Sequence, residues 1–171
     1  VMLSLYAGLR IGEVCALRWN NIDFKNHIIT VDSTIIRIKN ENNKWIYKIG
    51  PPKTTHSKRD IPITDNLYQL LTAEFSNKKS PYIVSSQESF LNIRTFEYRY
   101  HKLLKDADLY PHHFHTFRHT FATRCIESGV DIKTLSEILG HSSVSFTLNT
   151  YVHPSFQEKC IQMEKLNNLT G

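Results

Sequence analysis

The stretch His115-Thr116-Phe117-Arg118-His119-Thr120, followed by Leu139-Gly140-His141 and then by Tyr151, carries the reading of this chain. Residues three apart on a helix share a face, so His115 and Arg118 point the same way. Gly140 reads as a helix stop, and a second histidine follows it at once. The tyrosine stands ten residues further on, shortly before Pro154. A phenol set among an arginine and two histidines is a nucleophile beside a phosphate clamp. Guanidinium groups suit non-bridging phosphate oxygens because their donors are paired, fixed and permanently charged.

Two more segments extend the pattern towards the start of the chain. Ala7-Gly8-Leu9-Arg10-Ile11-Gly12-Glu13 supplies a second arginine, with a carboxylate three residues later on the same helix face. Pro52-Lys53-Thr54 and Lys58-Arg59-Asp60-Ile61-Pro62-Ile63 supply a basic hairpin between the two arginine segments. In this order the segments resemble the signature of the tyrosine recombinases, the phage integrase family. The resemblance runs from about Leu5 to Tyr151. Phe117 stands where the family usually has leucine, an apolar exchange read as core packing.

The resemblance implies a mainly α domain with a small antiparallel β-sheet (α+β), the tyrosine-recombinase catalytic-domain fold. It implies that Arg10, Lys53, His115, Arg118, His141 and Tyr151 are catalytic. Tyr151 would attack a phosphodiester to form a 3′-phosphotyrosyl link and free a 5′ hydroxyl. A hydroxyl with an ordinary pKa near 10 needs a base or strong positive charge beside it to do so at neutral pH. His115 is expected to shuttle the proton, since its ordinary pKa lies near neutrality. His141 is expected to donate a hydrogen bond to the scissile phosphate, and Lys53 to protonate the departing oxygen. Glu13 is read as a carboxylate that positions a basic side chain. Asp60 is read as a hairpin ion-pair partner.

Double-stranded DNA is the implied partner. Lys58, Arg59, Arg94 and Lys102 are expected to meet its backbone phosphates. A homo-oligomer, a tetramer on DNA, is implied, with the tail over residues 152–171 docking on a neighbouring protomer or packing on its own domain. The reaction needs no ATP and no metal cofactor, because bond energy is conserved and the two arginines supply the charge. His115 and His119 have the spacing of a helical zinc pair, but no glutamate follows His115, so the metalloprotease pattern is absent. His119 is expected to pack locally. The Leu139–Ser143 run and the Asn149-Thr150-Tyr151 context look more like integrases of mobile elements and phages than like chromosome-dimer resolvases. A type IB topoisomerase, or a non-catalytic DNA-binding domain of the same fold, remains an alternative.

The bulk properties agree. The 171 residues suit a single domain, 40% of them are hydrophobic, and the net charge of +5 favours a polyanionic partner. No apolar run approaches the roughly 20 residues of a membrane span. Val1–Tyr6 lacks the basic leader of a signal peptide. The three cysteines, Cys15, Cys125 and Cys160, are odd in number and lack metal-ligand spacing, which points to a reducing cytoplasm. The chain starts inside an apolar stretch and reaches Arg10 almost at once. This suggests a catalytic fragment (residues 1–171 as one domain) with an amino-terminal DNA-binding region outside it.

Local patterns place the elements. Helices are expected over 1–6 and 11–17, interrupted near Gly8. Alternating β-branched segments over 27–31, 34–39, 45–49 and 59–63 read as strands of one small sheet. Asp65 is expected to cap a helix to about Phe75. Further helices are expected over 92–105, 116–128, 132–139, from Ser142 or Ser143 to about Asn149, and from Pro154 or Ser155 to Leu166. In the helix over 92–105, Arg94, Tyr98 and Lys102 would share the exposed face, with Phe96, Tyr100 and Leu103 facing the core. Tyr6, Tyr98, Tyr100 and Tyr110 are expected to be packed tyrosines with bonded hydroxyls.

Overall fold

A computed structural model describes residues 1–52, 54, 57–151 and 156–167, without the side chains of Glu158, Gln162, Lys165, Leu166 and Asn167. Helix α1 spans Met2–Ala7 and ends at Gly8, whose φ of 66° is the left-handed conformation that glycine adopts without strain. The buried Ser4 hydroxyl donates to the Leu9 carbonyl at 2.7 Å and ties the turn that follows. Helix α2 (Ile11–Ala16) then starts at Arg10, whose backbone N–H donates to Glu13 Oε2 at 2.8 Å. A short 3-10 turn over Trp19–Asn21 leads into the sheet region.

The sequence suggests one sheet; the structure forms two. Strands β1 (Ile22–Asp23), β2 (Ile28–Val31) and β5 (Arg59–Pro62) make an antiparallel sheet with Ile29 opposite both Ile22 and Ile61. Strands β3 (Thr34–Lys39) and β4 (Trp45–Gly50) form a separate hairpin, paired from Thr34↔Gly50 to Lys39↔Trp45. The split follows burial: Ile29, Val31 and Ile61 lie in the main core, while the hairpin contributes only Ile35 to the buried residues.

Helix α3 spans Asp65–Ser76, but Asp65 is its first residue and Thr64 holds the cap position. Helix α4 (Ile93–Asp106) is capped by Asn92, whose side chain accepts from the Arg94 N–H. Its buried stripe is Tyr100 and Leu104, with Phe96 partly buried; Leu103 is exposed. Spacing of four residues selects Leu104, which corrects the expectation for Leu103. Helices α5 (Thr116–Glu127), α6 (Ile132–Leu139) and α7 (Val144–Tyr151) follow. Asp131 caps α6 by accepting from the Thr134 N–H at 2.8 Å, and Gly140 ends it at φ 63°. Helix α7 continues past Asn149, so Tyr151 is its last residue. Helix α8 spans Phe156–Asn167; Pro154 and Ser155 lie outside the described residues.

The main core joins α1, α2, the three-stranded sheet, α3 and α4 through Leu3, Val14, Ile29, Ile61, Leu67 and Leu104. A second cluster of Ala122, Leu135 and Leu139 joins α5 and α6, and the Tyr151 ring packs on it. The tyrosine expectation needs correction at two positions: Tyr98 is 71% and Tyr110 87% exposed. Tyr100 is buried as expected, but its hydroxyl has no hydrogen-bond partner among the described residues. Burial pushes the Cys15 thiol up to about 12, as suits an inert core thiol. Among the described residues, no helix is long and apolar enough to cross a membrane.

Candidate active site

Arg10 leads into α2 and lies beside the end of α6. Its Nη1 donates to Glu13 Oε1 at 2.9 Å, and its Nη2 donates to the Gly140 carbonyl at 3.2 Å. Glu13 serves two arginines, because Arg59 also reaches it. Arg59 Nη1 and Nη2 each donate to one Glu13 oxygen at 3.0 Å. Arg59 further donates from Nε to the Ile138 carbonyl and from Nη1 to the Ser57 carbonyl. Its side chain is 6% exposed. Arg59 is therefore an interior strut between β5, α2 and α6, whereas the sequence suggests a contact with DNA phosphates. Asp60 forms no ion pair among the described residues; it accepts from the Thr30 hydroxyl across the β2–β5 ladder at 2.7 Å.

Burial alone raises the Glu13 carboxyl, but the hydrogen bond and charge of Arg59, followed by those of Arg10, outweigh it and leave it below its ordinary value. Glu13 is thus ionised among guanidinium groups, and it positions two basic side chains.

Arg118 is 1% exposed, on the first turn of α5. Its Nη1 donates to the Gly8 carbonyl, and its Nη2 donates to the Leu139 carbonyl at 2.7 Å and to His141 Nε2 at 2.9 Å. The glycine stops after α1 and α6 place these acceptors: each chain reversal turns carbonyls towards one point. Burial, then the neighbouring Arg10 charge, pushes the Arg118 guanidinium down to about 9, so it stays cationic at neutral pH.

His141 accepts from Arg118 through Nε2, and its Nδ1 lies 2.8 Å from the Thr147 hydroxyl oxygen. Burial, then the charges of Arg118, Arg10 and Arg59, pushes His141 down to about 4, so the ring is neutral. The ring lies parallel to that of Tyr151, with centroids 6.4 Å apart and an interplanar angle of 5°. His115 occupies the cap position of α5 and packs edge-to-face on His119, at 4.6 Å between centroids. His119 in turn lies 5.4 Å from the Tyr151 ring. Burial, then the charges of His119, Arg118 and Arg10, holds His115 below its ordinary value. Burial raises the Tyr151 hydroxyl, while Arg118 and Arg10 pull against that rise.

The structure thus gathers Arg10, Arg118, His115, His141 and Tyr151. Lys53 lies outside the described residues. Lys58, Arg94 and Lys102 are exposed and lie apart from this cluster's hydrogen bonds. A cavity of about 630 Å³ opens beside the cluster, with Arg10, Arg37, Thr34 and His141 in its wall. Sequence reasoning missed His119 as a neighbour of the tyrosine and Thr147 as a neighbour of His141. His119 had a readable signal, its spacing of four from His115. Thr147 stands four residues before Tyr151 on the same helix face, a spacing that suggests only a packed neighbour. Among the described residues, no group of three or more histidines, cysteines and carboxylates is placed to hold a metal ion. A cationic, half-enclosed cluster holding a tyrosine is suited to a phosphodiester.

Comparison with known proteins agrees with this geometry. Residues 1–158 match the model of the phage integrase family. The chain belongs to that family. It is 34% identical over 191 residues to the "Tyrosine recombinase XerC-like" protein of Caldanaerobacter subterraneus subsp. tengcongensis, covering 98% of this chain and 48% of that protein. It is 29% identical over 184 residues to the transposase from transposon Tn916 of Enterococcus faecalis, covering 98% of this chain and 44% of that protein. Among solved structures, the Tn1549 transposon integrase in complex with transposon right end DNA superposes with a TM-score of 0.80 at 28% identity, over 97% of this chain and 57% of that one. The XerA recombinase shares the fold, with a TM-score of 0.68 at 23% identity over 95% of this chain and 55% of that one. The chain spans about half the length of these curated relatives.

Proposed function

We propose that this family member cleaves and rejoins DNA strands as a site-specific recombinase or integrase of a mobile element. The observation that carries the reading is the convergence of Arg10, Arg118 and His141 from separate segments of the chain at the end of α6, with the His141 ring parallel to that of Tyr151. Relatives named as a transposon transposase and as the ICEBs1 integrase of Bacillus subtilis support the mobile-element assignment. Duplex DNA is the substrate, in keeping with the Tn1549 integrase solved on DNA.

In this reading Arg10 and Arg118 hold the non-bridging oxygens of the scissile phosphate. Tyr151 Oη attacks phosphorus, its proton passes to His115, and the bond to the 5′ oxygen breaks. Lys53 protonates that oxygen. A 5′ hydroxyl from another duplex then attacks the phosphotyrosine, reforms the backbone and returns the tyrosine. Charge stabilisation by the guanidinium groups is the main source of rate. Protomers assemble as a tetramer on DNA, and α8, whose Phe156 is 80% and Met163 63% exposed, docks on a neighbour.

The test is covalent capture on nicked, strand-trapping duplexes that include candidate element ends, scored on denaturing gels. An adduct should form, map to Tyr151 by mass spectrometry, and disappear in Tyr151→Phe and Arg118→Ala. An adduct on another residue overturns the assignment. So does silence both from this chain and from a version with an amino-terminal DNA-binding region joined to it.

A further inference from the structure

His141 bridges two helices of the site. One ring nitrogen faces the Arg118 guanidinium of α5, and the other faces the Thr147 hydroxyl of α7. Arginine has donors only, so Nε2 accepts and the proton of the neutral ring sits on Nδ1. Nδ1–H therefore donates to Thr147 Oγ1, at 2.8 Å. Thr147 is fully buried, and this is its only side-chain hydrogen bond among the described residues.

We propose that Thr147 is a positioning residue: its hydroxyl anchors His141 to the helix that carries the nucleophile and bonds Nδ1 in whichever tautomer the partner of Nε2 imposes. This rests on the strand-transfer reading for its functional consequence. Thr147 and Tyr151 lie four residues apart on α7, so the anchor also fixes the nucleophile's ring against the histidine. The choice of a hydroxyl matters. With Arg118 turned to His141, the hydroxyl accepts from Nδ1–H. When a phosphate oxygen takes the place of the Nε2 lone pair's partner, His141 must carry its proton on Nε2 to donate. Nδ1 is then a lone pair, and the same hydroxyl turns to donate to it. The proton leaves Nδ1 and another arrives at Nε2 through water, so the ring stays neutral throughout. A carboxylate at position 147 would only accept, and valine would do neither. The depressed basicity of His141 agrees with a ring that changes tautomer rather than charge.

The experiment compares the wild-type chain with Thr147→Val and Thr147→Ser. In DNA-free protein, long-range ¹H–¹⁵N spectra of the imidazole read the tautomer directly. The wild type and Thr147→Ser should show a hydrogen-bonded Nδ1–H of His141, and Thr147→Val should show that proton shifted upfield by the loss of its acceptor. On the trapping duplexes, Thr147→Val should form adduct about tenfold more slowly, the scale of one missing buried hydrogen bond, with unchanged DNA retention. Thr147→Ser should restore the rate. Should Thr147→Val lose its dispersed amide spectrum, Thr147→Ala carries the same comparison. A folded Val or Ala variant with the wild-type Nδ1–H signal and rate overturns the proposal. A wild-type chain that forms no adduct counts against strand transfer alone, because the ring spectra still decide whether Thr147 anchors His141.

Discussion

Glu13 shows how one buried carboxylate organises a cationic site. Removing it leaves Arg59 nearly buried and without its charge partner, and an uncompensated buried charge is costly. Glu13→Gln should lower unfolding free energy in urea by about 3 kcal/mol at neutral pH. The pH dependence follows from its depressed folded pKa. Glu13 stabilises fully above its ordinary value of 4.5, and that contribution is lost as pH falls through the lower folded value. The stability gap between wild type and Glu13→Gln should therefore hold at neutral pH and close only in acid; a gap that widens in acid refutes the ion-pair account. At this scale the sequence shows much of the site. Arg10, Arg118, His141 and Tyr151 are legible because their order and their glycine stops leave a pattern. Arg59 was legible as a cation but not as a buried one. A basic residue on a hairpin looks like a surface contact until the helix that covers it is known. Thr147 was illegible because a threonine carries no chemistry until a histidine is placed beside it.

At the scale of elements, the turn after α6 links structure to site. Gly140 is left-handed, and a Cβ there would meet Arg59 Nη1 at 3.0 Å and Cδ at 3.1 Å. Gly129, after α5, is also left-handed at φ 80°, but nothing lies within 4 Å of a Cβ placed there. The two glycines form a matched pair. Gly129→Ala should cost only the left-handed strain, about 1 kcal/mol. Gly140→Ala should cost that and more, because it displaces the strut holding Glu13 and, through it, Arg10. Equal losses in urea unfolding would mean that the Arg59 contact is soft. These stops also explain why the helices were readable. Glycine caps and the Asn92 and Asp131 caps are local signals, carried by the residues themselves. The division of the strands into two sheets was not readable. Strand pairing depends on partners distant in sequence, and β2 finds β5 across an intervening hairpin.

At the scale of the whole molecule, charge divides into two populations. Arg10, Arg59 and Arg118 are tied to Glu13 or to backbone carbonyls, whereas Lys58, Arg94 and Lys102 are exposed. Away from the scissile phosphate, the second group is the one placed to meet backbone phosphates without rearranging the fold. In the proposed function a net charge of +5 favours duplex DNA, with an affinity that weakens as salt rises. Replacing Lys58, Arg94 or Lys102 by alanine should weaken duplex binding. The slope of log affinity against log salt should become shallower by about 0.9 for each phosphate that is no longer neutralised. Unfolding free energy should be unchanged, because these three side chains are exposed and form no ion pair among the described residues. Arg59→Ala should behave in the opposite way, because its charge faces inward: stability falls while the salt slope of the remaining folded protein holds. Filter binding across a salt series, read beside urea unfolding of the same four variants, separates the two populations. If Arg59→Ala flattens the slope and leaves stability intact, the side chain turns outward on DNA and the strut assignment fails.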